Sequence, residues 1–248
     1  MTHALGIDIG GTGIKGAIVD TTSGELVSER KKLATPRSGK PDAIVEVVVK
    51  LVAELGGVAP DMPVGVCFPA IIRDGKTMSA ANISDEWIGL EAEKLFEKAL
   101  GRDIHFVNDA DAAGIAEVRY GAAKGVPGLV LLTTLGTGIG SALIYNGTLV
   151  PNSELGHLQI DGRDAEKGSS SVARERDELS WTAWAKRLQR YYSHLELLFS
   201  PDLFLVGGGV SKSHEKFLPL LTLNTPIIPA ELRNDAGILG AAALAVME

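Results

Sequence analysis

The residues Gly11-Thr12-Gly13-Ile14 return unchanged as Gly136-Thr137-Gly138-Ile139, 125 positions later in a chain of 248. A second motif keeps almost the same spacing: Asn108-Asp109 opens "NDADAAGIAE" and Asn234-Asp235 opens "NDAGILGAAA", 126 positions apart. Two unrelated motifs repeating at one offset point to a duplicated unit. Each half must then build one architecture twice, with a glycine loop near its start and an Asn-Asp pair near its end.

Hydrophobic patterning fills in the halves. "ALGIDIG" (4–10), "IKGAIVD" (14–20) and "GELVSERKKLA" (24–34) read as a meander of three strands. A helix is predicted over 42–55 with Asp42 as its N-cap, then a buried strand over 63–70 and a helix over 90–101 ended by Gly101. A strand over 103–109 ends on Asn108 and Asp109, and a helix follows over 111–123. The second half restarts with a strand over 128–138, and a hairpin over 140–150 turns at Asn146-Gly147. An amphipathic helix over 177–199, a strand over 202–209 and a helix over 236–246 complete it. The expected fold is α/β: two similar lobes with a cleft between them, one formed by 1–109 plus 235–248, the other by 110–234.

"GTGIKG" fits the G-x-G-x-x-G dinucleotide pattern, but that motif needs a helix after the glycines. Here "AIVDTTSGELV" follows, which is β-branched and turn-bearing, so the glycines close a hairpin. A glycine hairpin can still hold phosphate, because bare backbone approaches the oxygens and successive N–H groups form an anion nest. Gly10, Gly11, Thr12 and Gly13, with Gly136, Thr137 and Gly138, are the candidate grips on a polyphosphate chain. Lys15 either points at phosphate or is solvated. Asp8 lies among apolar neighbours and needs a partner: either Mg²⁺, held through water, or the backbone of the adjacent loop.

The net charge of −7 argues against nucleic-acid or membrane-surface binding. One cysteine, Cys67, excludes an internal disulfide and a cysteine-based zinc cluster, and fits a reducing compartment. With no basic-then-apolar leader and no long apolar run, the expectation is a cytoplasmic protein.

Asp109 stands where an apolar strand ends in the cleft, a place for a general base; the same residue type also suits a helix N-cap. Between Arg163 and Arg190 lie seven basic and five acidic residues, either a track for a polyanion or a set of solvated, salt-bridged faces.

Together, "DIGGTGIKGAIVD", "LGTGIGSALI", "LFLVGGGVS", the two Asn-Asp helices and "ELGH" (154–157) resemble the actin-like (ribonuclease H-like) sugar kinases, and among them the ROK group. The likeness runs through nearly the whole chain. It implies that Asp109 deprotonates the sugar hydroxyl, that Asn82, Asn108, Glu154, His157 and Glu166 bind sugar, and that Gly208 and Gly209 lie on the donor side. It also implies Mg²⁺ and a homodimer. ROK kinases usually follow E-x-G-H with a cysteine-rich zinc loop. Here "LQIDGRDAEKGSSSVARERDELSW" contains no cysteine, so no zinc is expected. In this the chain is similar to the zinc-free polyphosphate glucokinases, which implies polyphosphate or ATP as donor and glucose, or also mannose, as acceptor. The alternatives are an ATP-only kinase for another hexose, such as mannose or an N-acetyl hexosamine, and a sugar sensor that transfers nothing. No helix-turn-helix precedes the first loop, which disfavours the repressor branch.

Overall fold

The computed structural model describes residues 3–80 and 83–247. It divides into two compact units, 1–116 with 235–248, and 117–234. Each has its own apolar core, one drawn from residues between Leu5 and Phe106, the other from residues between Leu131 and Leu218.

The first unit opens with β1 (His3–Ile9) and β2 (Ile14–Asp20), an antiparallel pair joined by the first glycine loop. The predicted third strand is instead two short ones, β3 (Glu25–Leu26) and β4 (Lys31–Leu33). The break has a local cause. Ile18 N–H donates to Ser28 Oγ rather than to a strand carbonyl, so main-chain pairing lapses before resuming at the other end of β2. Helix α1 (Pro41–Leu55) buries Ile44, Val48 and Leu51 at i, i+4, i+7, each stabilising by roughly 1.5–3 kcal/mol. Its N-cap is Lys40, not Asp42: Pro41 needs no N–H partner and takes the first helical position, which leaves Asp42 inside the first turn.

Strand β5 (Val64–Phe68) is buried throughout. The small ribbon β6 (Ile72–Arg73) and β7 (Lys76–Thr77) follows, then α2 (Ala92–Leu100). As expected, Gly101 ends that helix in the left-handed region. Strand β8 (His105–Asn108) runs straight into α3 (Asp109–Tyr120), two residues earlier than its composition suggests. The sheet order is β3-β2-β1-β5-β8, with β1, β5 and β8 parallel.

The second unit repeats this. β9 (Leu129–Leu135) and β10 (Ile139–Tyr145) pair antiparallel around the second glycine loop, and β11 (Thr148–Val150) follows a turn with positive φ at both Asn146 and Gly147. The ribbon β12 (Gln159–Ile160) and β13 (Arg163–Asp164) leads to α4 (Ala165–Ser169) and α5 (Ser171–Arg176). Helix α6 (Trp181–Phe199) begins four residues later than predicted. Glu178 takes a positive φ and Ser180 caps the helix by accepting from Ala183 N–H. Strand β14 (Leu203–Gly207) and β15 (Ile227–Pro229) complete a sheet ordered β11-β10-β9-β14-β15, with β9, β14 and β15 parallel. Strand for strand, this is the order of the first sheet.

Helix α7 (Ala236–Leu244) returns the chain to the first unit. Its backbone lies directly on the sheet: a Cβ at Gly6 would come 2.0 Å from Ile238 O, and one at Gly65 would come 1.9 Å from Ala241 O. Glycine inside two buried strands, normally costly, is therefore required by the helix that covers them. Trp184 is fully buried in the core of the second unit, stacked edge-on against Phe217.

Candidate active site

Both glycine loops are hairpin tips, the first spanning residues 10–13 between the paired Ile9 and Ile14, the second the shorter 136–138 between the paired Leu135 and Ile139. Gly10 N–H donates to Gly13 O at 3.1 Å, and Gly136 N–H donates to Gly138 O at 3.0 Å. In each, the Thr at the tip is exposed, and the glycine before it has open space where a Cβ would stand. A strand follows each loop, so neither is a dinucleotide turn. Gly208, at φ +82°, packs on the end of β9 beside the second loop, where a Cβ would meet Leu135 O at 2.5 Å. Gly209, next to it, is open.

In the first unit, Asp8, Cys67 and Asn108 occupy the C-terminal ends of three neighbouring parallel strands, where α/β sheets present their chemistry. Lys15 stands directly opposite Asp8 across the hairpin and donates to its Oδ2 at 2.7 Å. The carboxylate's partner is Lys15 rather than loop backbone, and the ammonium is not merely solvated: one of its three donors is committed to Asp8. The Cys67 thiol, fully buried, lies against Asp8 Oδ1 and Gly237 O. Burial pushes this thiol well up, and the charges of Asp8 and Asp109 push it further, so it stays protonated. Sequence reasoning noted Cys67 only as a lone cysteine. Its position against Asp8 depends on strand pairing across a long separation.

Asn108 is the N-cap of α3. Its Oδ1 accepts from Ala110 N–H at 2.8 Å and from Asp111 N–H at 3.0 Å, and its Nδ2 donates to Ala70 O. It is buried, and its amide serves the fold; as a sugar ligand it retains only what those bonds leave. Asp109 is thus not the cap but the first residue of the helix. Its Oδ1 accepts from Ala110 N–H at 2.8 Å, at the helix end that favours negative charge. The second Asn-Asp pair differs: Asp235 makes no side-chain cap and pairs with Arg30 within the first unit. Asn82 lies outside the described residues.

In the second unit, Glu154 and His157 flank a single 3₁₀ turn, Leu155–His157, closed by His157 N–H donating to Glu154 O. Glu154 is half-buried, and desolvation raises its carboxyl above the usual range, with the charge of Glu166 adding and His157 opposing. His157 Nδ1 lies 3.2 Å from Asp164 Oδ2, which orients the ring. That bond, and a second from Gln159, hold Asp164 below the usual carboxylate range. Asp164 was missed from sequence because only the β12–β13 ribbon carries it back to His157. Glu166 Oε2 accepts from Ile139 N–H at 3.2 Å, immediately after the second glycine loop.

Three of the seven basic side chains in the stretch are engaged with two aspartates. Arg176 and Arg187 both bind Asp177, at 2.8 and 2.6 Å, and Arg190 binds Asp161. These pairs hold Asp177 far below its ordinary value, Arg176 contributing most. Arg174 lies 4.1 Å over the Trp181 ring, and Lys216 lies 5.5 Å from it. Among the described residues no helix is long and apolar enough to cross a membrane, and no three His, Cys, Asp or Glu side chains cluster as a metal site.

A model of the ROK family matches residues 4–174. Polyphosphate glucokinase from Mycobacterium tuberculosis is 45% identical, over 99% of this chain and 92% of its own length. The crystal structure of inorganic polyphosphate/ATP-glucomannokinase from Arthrobacter sp. strain KM superposes with a TM-score of 0.95 at 55% identity, covering 100% of this chain and 99% of that one. A ROK family glucokinase from Streptomyces griseus, in complex with glucose and AMPPNP, shares the fold at 24% identity and a TM-score of 0.84, over 99% of this chain and 100% of that one.

Proposed function

The chain belongs to the ROK family, and on that premise we propose that it is a kinase that moves a phosphoryl group from inorganic polyphosphate or ATP to the 6-hydroxyl of glucose. The observation that carries this reading is the end-to-end likeness to a polyphosphate/ATP-glucomannokinase at 55% identity. Mannose is a second acceptor on the same ground.

Asp109 accepts the proton of the sugar hydroxyl as the new O–P bond forms and the bridging P–O bond of the donor breaks; the shortened polyphosphate, or ADP, leaves with the electron pair. The N–H groups and threonine hydroxyls of Gly10 to Gly13 and Gly136 to Gly138, with Gly208 and Gly209, are the donor's ligands. Glu154, His157, Glu166 and the remaining capacity of Asn108 read the sugar hydroxyls directionally, and Asn82 is a further ligand by family likeness.

Mg²⁺ would neutralise donor charge. Asp8 suits a water-mediated hold: Lys15 occupies one of its oxygens, so a single carboxylate supports a cation that arrives on phosphate with most of its water shell. The buried, unpaired cysteine and the donor chemistry fit a cytoplasmic setting, and a homodimer is the expected assembly.

The test is initial rates of the purified protein with polyphosphate and with ATP, over glucose and mannose, read through glucose 6-phosphate oxidation to NADPH, with coupling isomerases added for the mannose 6-phosphate product. Turnover with both donors on glucose is expected. No product from either donor would end this reading in favour of a sugar sensor.

A further inference from the structure

Ile139 is the first residue after the second glycine loop, and the acceptor-side segment holds it from two directions. Its N–H donates to Glu166 Oε2 at 3.2 Å. Its carbonyl oxygen fills the space where a side chain on Gly156 would begin, 2.3 Å from that missing Cβ. Gly156 is the glycine inside Glu154-Leu155-Gly156-His157, and this contact is the physical reason it must be glycine. The same Glu166 oxygen covers Gly138 in the loop itself, 2.4 Å from where its Cβ would stand.

The contact continues along one face of β10. Ser141, two residues on, donates from Oγ to Ser153 O at 2.7 Å and accepts from Leu155 N–H at 2.9 Å; Ser153 Oγ donates back to Ser141 O at 3.0 Å. Residues i and i+2 of a strand share a face, so Ile139 and Ser141 together seat the whole turn that bears Glu154 and His157. The charge of Glu166 also reaches Glu154.

We infer that Glu166 is a positioning residue for the donor loop: through the N–H of Ile139, with Gly156 and Ser141 beneath the acceptor turn, it makes the second Gly-Thr-Gly loop and the sugar-reading turn one mechanical body, so that acceptor and donor bind with positive cooperativity. Sugar that engages the turn tightens the seat on β10, and the loop at the strand's start is held in one shape. Coupling of this kind is reciprocal in affinity and commonly amounts to about 5–150-fold. This deepens the proposed function, whose donor and acceptor it takes as given.

The experiment is calorimetric titration with tripolyphosphate and with a non-hydrolysable ATP analogue, each with and without saturating glucose. It uses the parent protein, Glu166→Ala, Glu166→Gln and Ser141→Ala. In the parent, glucose should tighten donor binding by about 5-fold or more. Glu166→Ala should weaken donor binding and erase its dependence on glucose. Glu166→Gln, whose amide oxygen can still accept from Ile139 N–H, should keep the donor affinity while losing glucose affinity. Ser141→Ala touches no loop glycine and no acceptor carboxylate, and should shrink the coupling. If both Glu166 variants weaken glucose alone and donor affinity stays at the parent value, Glu166 is a sugar contact only and the inference fails. A protein that shows the coupling yet transfers no phosphate would sink the kinase reading and leave this one standing.

Discussion

The Lys15 ammonium lies 2.7 Å from Asp8 Oδ2, in a pair whose side chains are 21% and 15% exposed. The two face each other across the first hairpin, so the carboxylate beside the donor loop is held by the strand that leaves that loop. An exposed ion pair is worth about 0–1 kcal/mol, whereas stripping the partner from a buried charge costs about 3–5 kcal/mol. At this exposure Lys15→Met should destabilise by about 1–3 kcal/mol. Adding Asp8→Asn should restore most of that stability without restoring turnover. Urea denaturation of the single and double variants checks it; a double variant no more stable than the single would mean that the pair carries no stability.

Asp109→Asn should lower kcat by about 10²–10⁴-fold, the usual range for a general base, while glucose affinity by calorimetry stays near the parent value. The amide keeps the size of the side chain and its bond from Ala110 N–H, so the first turn of α3 should survive. Turnover within a few-fold of the parent would move the base elsewhere.

Two glycines should separate packing from phosphate binding. Gly65→Ala puts a methyl 1.9 Å from Ala241 O, between sheet and helix backbone that have no room to yield, and should destabilise by about 3 kcal/mol or more. Gly11→Ala meets nothing within 4 Å, so its melting temperature should hold while donor KM rises. Thermal melts and donor kinetics on the pair read this directly; a Gly11→Ala protein with parental donor KM would remove that loop from the donor site.

Burial raises the Glu154 carboxyl, so the folded state binds its proton more tightly than the unfolded chain does. The sign follows by linkage: stability falls as pH rises from the ordinary carboxylate range through the raised value, and the penalty is fully present above it. Glu154→Gln should therefore be more stable than the parent at pH 7, with the gap closing as pH falls through the raised value and gone once it reaches the ordinary carboxylate range. Glucose KM of the parent should climb over the same fall in pH, as the carboxylate that accepts from sugar hydroxyls is lost. Denaturation and kinetics at stepped pH test both; a stability gap that does not change with pH would contradict the assignment.

Polyphosphate affinity should fall more steeply with added salt than ATP affinity, because a long polyanion releases more counterions on binding. With Arg176, Arg187 and Arg190 already paired to aspartates, the salt slope should survive Arg190→Gln nearly unchanged. Donor KM measured across a salt series decides it, and a slope halved by that one substitution would restore the basic stretch as the track.

The sequence by itself determined the doubling, and with it two lobes of similar α/β make-up. It also determined that each glycine loop is a hairpin rather than a helix start, and where helices end at Gly101 or turn at Asn146-Gly147. These are decided by residues within a few positions of one another, through φ preference, β-branching and hydrophobic period. The tertiary structure alone decided that Asn108 serves as a cap and an anchor to Ala70, that Cys67 sits against Asp8, and that Asp164 orients His157. It also brought Arg187 and Arg190 against aspartates, and set Ile139 between Glu166 and Gly156. Each of these depends on which backbone groups and charges are brought together by strand pairing and ribbon closure over long separations. A polar side chain takes whichever partner the fold delivers, and nothing in its own neighbourhood along the chain says which one that is.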